Sequence, residues 1–292
     1  MRVWKVIISV LLEVAKMSRL LSAGFSRLKR DKVFWISMFV MLIYSVICML
    51  NGCRQATSDV MSEYQYSLDH YYFNYALSIG LFCAVFTSLF LGTEYSDGVI
   101  RNKLVIGHTR FHIYFSNLII NFSATCLMML VWLIGGLIGI PTLGLWKMGM
   151  GLVIYLLISV LFVAAFSAIF TFIGIICSNK AISAVLCILV FLGFTIFTSM
   201  IYNALSQPEL SSGILITADG MQMTDPTPNP NYVRGVWRDI YQFIIDFLPT
   251  GQGIQMADLS IAHPVCMGLS SVFITIVVTL GGIVAFNKKD LK

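Results

Sequence analysis

Gly151-Leu-Val-Ile-Tyr-Leu-Leu-Ile-Ser-Val-Leu-Phe-Val-Ala-Ala-Phe-Ser-Ala-Ile-Phe-Thr-Phe-Ile-Gly-Ile-Ile-Cys177 runs for 27 residues without an Asp, Glu, Lys, Arg or His. As a helix rising 1.5 Å per residue it outspans a hydrocarbon core of about 30 Å. Five more runs of this kind flank it, at 115–140 and 181–203 on either side and at 33–50, 74–92 and 264–286 further out. Each has at least 18 residues and no ionisable Asp, Glu, Lys, Arg or His. The chain as a whole is 58% hydrophobic and 11% charged, against about 25% charged in a soluble domain. It reads as an all-α membrane protein with six transmembrane helices and no second, soluble domain.

The connectors give the orientation. With the N-terminus inside, Arg2, Lys5, Lys16, Arg19, Arg27, Lys29, Arg30, Lys32, Arg101, Lys103, Arg110, Lys180, Lys288, Lys289 and Lys292 are cytoplasmic, 15 of the 19 basic residues. Arg54, Lys147, Arg234 and Arg238 stay outside with nine of the 14 acidic ones. By the positive-inside rule both termini are cytoplasmic. The net charge of +5 then answers anionic headgroups, not nucleic acid. Seven cysteines, most inside spans and none in a C-x-x-C pair, imply packing and no disulfide framework.

Residues 1–32 form a cytoplasmic amphipathic segment ahead of the six-span membrane body, 33–292. In 2–16 the polar Arg2, Lys5, Ser9, Glu13 and Lys16 recur every three or four residues, as in a helix lying in the membrane interface. A second amphipathic turn, Leu20 to Arg30, leads into Phe34-Trp35 as an elbow. Whether Met1 or Met17 starts the chain is open. Outside, Tyr71-Tyr72-Phe73 reads as an interfacial aromatic belt, and Gly135 with Gly139 and Ala164 with Ala168 read as close helix packing. In the outer segment 204–263, Asp225-Pro-Thr-Pro-Asn-Pro-Asn231 cannot be helical. The 3.6 period returns from Val233 to Leu248, Pro249-Thr250-Gly251 stops it, and a short helix follows around 253–261. These helices cap an exit path or simply lie on the bilayer.

The longest cytoplasmic interruption between spans is 92–117. Within it Val99 to Ile106 reads as a helix of about two turns, bracketed by Gly98 and Gly107, which tolerate positive φ. Val99, Ile100, Leu104 and Ile106 give an apolar side; Arg101, Asn102 and Lys103 a polar one. Such a helix suits docking of another protein; the alternative is a solvated loop.

Chemistry is limited. Ion-coupled transport places ionisable groups mid-membrane, and no span has one. No G-x-x-x-x-G-K-[ST] occurs, nor H-E-x-x-H or G-x-S-x-G. No internal repeat supports an inverted-repeat transporter. His108 and His112 share a helix face as conceivable metal ligands, though interfacial packing or phosphate contact explains them as well. Met148/Met150 and Met221/Met223 are Met-x-Met pairs of the kind Cu(I) uses. Neither makes a metal site. Asn117, Asn121 and Thr125 stripe span three and are expected to bond a neighbouring helix. Uphill movement would need energy from another protein.

Gly92-Thr-Glu94-Tyr-Ser-Asp97-Gly98-Val-Ile100-Arg101-Asn-Lys103-Leu104, followed by Gly107-His-Thr-Arg110 and Ile113-Tyr114, resembles the signature of ABC-2 type ABC-transporter permeases. That pattern is roughly G-x-E-x-x-x-G-T-[IL]-R-x-x-L, then a Ser/Thr-Arg pair; Val99 replaces the common Thr. Arg27-Leu-Lys-Arg-Asp-Lys-Val-Phe-Trp35, Phe247-Leu-Pro249-Thr-Gly251-Gln and the Phe286-Asn-Lys-Lys-Asp-Leu-Lys ending are similar to other parts of the family, so the likeness covers all but the first 16 residues. The resemblance implies a non-enzymatic subunit that dimerises with a second permease, itself or a homologue. It also implies pairing with two copies of an ATPase that binds ATP and Mg. Val99–Ile106 would be the coupling helix. Glu94 and Asp97 would tie it to Arg101 or to the ATPase, with Gly98, Ile100, Lys103, Leu104, Gly107 and Arg110 as coupling or headgroup contacts. Spans two and five would line the path, with Ser78, Thr87, Thr195, Ser199 and Asn203 as its polar positions. An uncharged path suits export of a hydrophobic or amphipathic compound, a peptide antibiotic or lipid-like molecule, across a bacterial cytoplasmic membrane. The alternative is a membrane scaffold or sensor that regulates an ATPase. Cargo, direction and pairing are left open by the sequence.

Overall fold

The computed structural model describes residues 2–58, 67–211, 214–217, 220–223 and 225–290. Six helical segments are long and apolar enough to cross a membrane, and each contains one of the runs read from the sequence. Their even number puts both ends of the chain on one face, here the terminal face; the opposite one is the distal face.

Helix α1 (Arg2–Arg30) joins the two amphipathic stretches into one rod, with Arg27, Lys29 and Arg30 in its last turn, where cations offset the helix dipole. Asp31 alone is non-helical before α2 (Lys32–Ser58), the first span. Its carboxylate accepts from the Phe34 amide at 2.9 Å, a side-chain cap for an otherwise orphaned donor. Trp35 Nε1 donates to the Lys29 carbonyl at 2.9 Å. The elbow is thus one capped residue. Helix α1 packs along span three, and a Cβ on Gly24 would collide with the Ile120 side chain.

Span two is broken near its distal end into α3 (Leu68–Tyr72) and α4 (Tyr75–Ser96). The break leaves the Tyr72 carbonyl free, and Trp132 Nε1 donates to it at 2.9 Å. The aromatic belt expected at 71–73 is therefore largely interior: Tyr72 and Phe73 are buried, with ring contacts to Trp146 and Tyr155. After α5 (Val99–Val105), span three comprises α6 (Arg110–Gly136), a 3-10 turn (Leu137–Gly139) and α7 (Ile140–Leu143). Gly135 lets Ser45 of span one approach, and Gly136 and Gly139 lie against Tyr72 and Leu68, so this small-residue spacing serves packing within the protomer. Helices α8 (Met150–Ile176), α9 (Lys180–Leu205) and α12 (Pro264–Lys288) are spans four to six. Span four sits centrally against α4, α6 and α12, and the core runs through Phe86, Phe90, Trp132, Phe162 and Phe170.

The distal segment differs from expectation in two ways. Short antiparallel pairs occur, β1 (Leu210–Ser211) with β4 (Thr227–Pro228) and β2 (Ile214–Thr217) with β3 (Gly220–Met223). Pro249 does not merely end α10 (Val236–Phe247): it opens α11 (Pro249–Ala257). Proline fits a first helical turn because the N–H it lacks would have no helical acceptor there.

Candidate functional site

Gly98 and Gly107 have φ of +67° and +96°, and no atom lies within 4 Å of where either Cβ would sit. Conformation rather than space selects glycine at both. Gly98 reverses the chain at the end of α4, and α5 folds back beneath the spans. Ile100 is buried with Leu91, Ile113, Tyr114, Ile175 and Phe286, and Leu104 packs against the same cluster. Val105 and Ile106, 81% and 77% exposed, point away from the protein together with exposed Arg101 and Asp97; Val99 lies half-buried at the start.

Glu94, buried at 1% exposure, is the hub. Lys103 of α5 reaches it at 2.7 Å, Arg27 of α1 forms an ion pair with it at 2.7 Å, and Asn117 Nδ2 of α6 donates to its second oxygen at 3.0 Å. Arg27 also donates to the Phe90 carbonyl at 2.8 Å and to the Thr93 hydroxyl, and lies 4.2 Å over the Phe90 ring. One carboxylate thereby joins α1, α4, α5 and α6. A buried carboxylate is sustainable only with such partners. Gly92, the first residue of the quoted motif, allows close approach of span five: a Cβ there would stand 2.9 Å from the Lys180 Cα.

The structure revises several expected roles. Glu94 is tied to Lys103 and Arg27, not to Arg101, because the turn at Gly98 carries Arg101 outward. Arg110 faces the end of span six: it donates to the carbonyls of Phe286, Asn287 (3.1 Å) and Lys289 (2.6 Å). Lys289 donates to the Ile175 carbonyl at 2.8 Å and to Tyr95 at 3.2 Å, and burial lowers its pKa. Thr109 caps α6, its hydroxyl accepting from the His112 amide, and the His112 ring meets Glu13 of α1 at 3.2 Å, while His108 precedes the helix, so the two do not share a helix face. Burial first, then His112, Lys16, Lys103 and Arg19, lower the His108 pKa. Met148 packs inward while Met150 is exposed; the side chains of Met221 and Met223 lie outside the described residues.

The polar positions assigned to a path are not brought together. Thr87 is fully buried beside Cys83. Ser78 and Thr195 donate to their own helices, to Tyr75 (3.3 Å) and Phe191 (2.8 Å). Ser199 is half-buried and Asn203 exposed at the distal end. A wholly apolar hollow of about 570 Å³ instead opens sideways between α8, α9 and α12, under Phe247-Leu248-Pro249. Of the asparagine stripe, Asn117 bonds span two and Asn121 bonds Thr171 of span four at 2.9 Å, whereas Thr125 bonds its own helix.

Sequence reasoning missed Arg27, Tyr95 and Lys289 as parts of this site. Arg27 and Lys289 stood in quoted stretches, but as elbow and tail; only a pairing across 67 positions would have joined Arg27 to Glu94. A family model described as ABC-2 family transporter protein matches residues 20–205, from within α1 to the end of span five. No curated protein matches the chain.

Proposed function

The chain belongs to the ABC-2 family of transporter proteins, and on that premise we propose that α5 receives the stroke of a separate ATPase subunit and passes it to spans two and three. The protein is a multi-pass permease component of an ABC transporter. The finer reading rests on one observation: α5 is fixed to α4, α6 and α1 through buried Glu94 while Val105 and Ile106 project uncovered. A force on the exposed tip moves the helix as a body, since its Lys103 grips Glu94, which Arg27 and Asn117 hold in turn. Closure of two ATP-loaded ATPases draws two such knobs together and shifts the spans between inward- and outward-open populations. In this reading the terminal face is cytoplasmic, two permeases and two ATPases form the working unit, and the cargo is a hydrophobic or amphipathic compound moved outward.

The experiment is coexpression with a candidate ABC ATPase subunit, sought first in the neighbouring reading frame. The paired change Val105→Asp, Ile106→Asp should abolish copurification of the ATPase while thermal unfolding of the permease stays unchanged. Retained copurification and unchanged cargo-stimulated ATP turnover in liposomes would refute α5 as the docking element. Turnover that never responds to any cargo favours the scaffold alternative.

A further inference from the structure

On the distal face a second polar recess lies between α9, α10 and α11, with no part in the function proposed above. Its volume is about 180 Å³ and its walls include Tyr202, Ser206, Arg238, Gln242, Gln255 and Ser260, over an apolar floor of Ile201, Leu205 and Ile245. At about 30 Å³ per water, that is room for about six waters or one small oxyanion group.

Arg238 is its cation. Nη2 donates to the Leu205 carbonyl at the end of span five at 3.1 Å, and the guanidinium lies 5.0 Å over the Tyr232 ring. Nη1 is shielded from water and has no acceptor. Neighbouring Arg234 pairs with Glu209 at 3.7 Å, but among the described residues no carboxylate pairs with Arg238. Asp246 behind the wall is held by Gln242 and Gln255, each at 2.9 Å, and by His263, also at 2.9 Å. In the same recess Tyr202 and Ser260 share one hydrogen bond at 3.0 Å, with Asp258 beside the Tyr202 hydroxyl; when Tyr202 donates to Ser260, the Ser260 proton remains to donate. Ser260 is placed there by Leu259, the one non-glycine residue with positive φ among those described, at 54°. The Ser260 amide closes the end of α11 on the Gln255 carbonyl at 2.9 Å. A branched residue in that conformation is strained, and such strain gathers at binding sites.

We propose that this recess binds an oxyanion, a carboxylate or phosphate, with Arg238 as its charge partner and the Tyr202–Ser260 pair as its hydroxyl donor. The anion is either the headgroup of a lipid at that face or a small free ion. The test uses the full chain in detergent and in nanodiscs. Inorganic phosphate is titrated against thermal unfolding, and phosphatidylglycerol retention from mixed phosphatidylcholine membranes is read by native mass spectrometry. Wild type should bind one of the two probes, which identifies the source. Arg238→Gln should weaken that binding about tenfold or more, the size of a lost charge-assisted bond. If Arg238→Gln does not fold, Tyr202→Phe combined with Ser260→Ala decides, because it leaves the Leu205 contact in place and should still weaken binding several-fold. Binding of neither probe to wild type, or equal binding to wild type and the variants, overturns the proposal.

Discussion

Two of the buried carboxylates, Glu94 on the terminal face and Asp246 on the distal face, are held differently. Glu94 on the terminal face takes two cations and an amide from three other elements, so removing it leaves two like positive charges unpaired beside each other. Asp246 on the distal face takes two glutamine amides from α10 and α11 and an imidazole that is largely exposed. The distal elements are joined instead by backbone contact and by Gln252, which donates to the carbonyls of Asp246 (2.8 Å) and Met267 (3.0 Å) and accepts from Ser271 (2.7 Å). An ion-paired hub transmits displacement among elements that could otherwise part; an amide-and-backbone joint fixes a local shape. The first suits a moving part, the second a lid or rim.

The sharpest test of that contrast is replacement of the two carboxylates. Glu94→Gln should destabilise the protein by about 3–5 kcal/mol, the cost of breaking a buried ion pair from one side, as read by chemical unfolding in detergent. Asp246→Asn should cost only about 1–3 kcal/mol, the range for buried hydrogen bonds left unmade. Equal losses would erase the distinction. Next, Gly253→Ala drives a Cβ to 2.6 Å from the Ala76 carbonyl oxygen; since backbone cannot swing aside, about 1–3 kcal/mol of overpacking is expected, confined to the distal joint in hydrogen exchange.

Smallest of all should be the pH effect at His108. Its folded-state pKa is lowered from 6.5, so the unfolded chain takes up the proton first. Stability therefore falls as pH drops through about 6.5 and is unaffected well above it. His108 is half-buried with Nδ1 shielded from water, and His108→Gln should flatten this slight change in thermal scans.

The spans were legible because hydrocarbon imposes a length and a composition that no other class of segment meets. Ile100 and Leu104 were legible as the apolar side of α5 from periodicity alone. The partners of Glu94 were not: Arg101 is nearer in sequence than Arg27, and only the left-handed turn at Gly98 decides which cation the carboxylate meets. Pro249 misled for a related reason, since the same ring ends one helix or begins the next depending on where the preceding chain runs. The paired strands at 210–228 left no alternating pattern, because strands of two to four residues are too short to hold one.

The contact between Arg110 and the end of span six has a consequence for synthesis. Phe286 follows Arg110 by 176 positions, which at 5–20 residues per second is a delay of about 10–35 s. During that interval spans three to five are made while this guanidinium lacks its carbonyl acceptors, so a nascent protomer stays open at that seam until the last helix docks. A quality-control protease that samples unfinished membrane proteins would find its opportunity there.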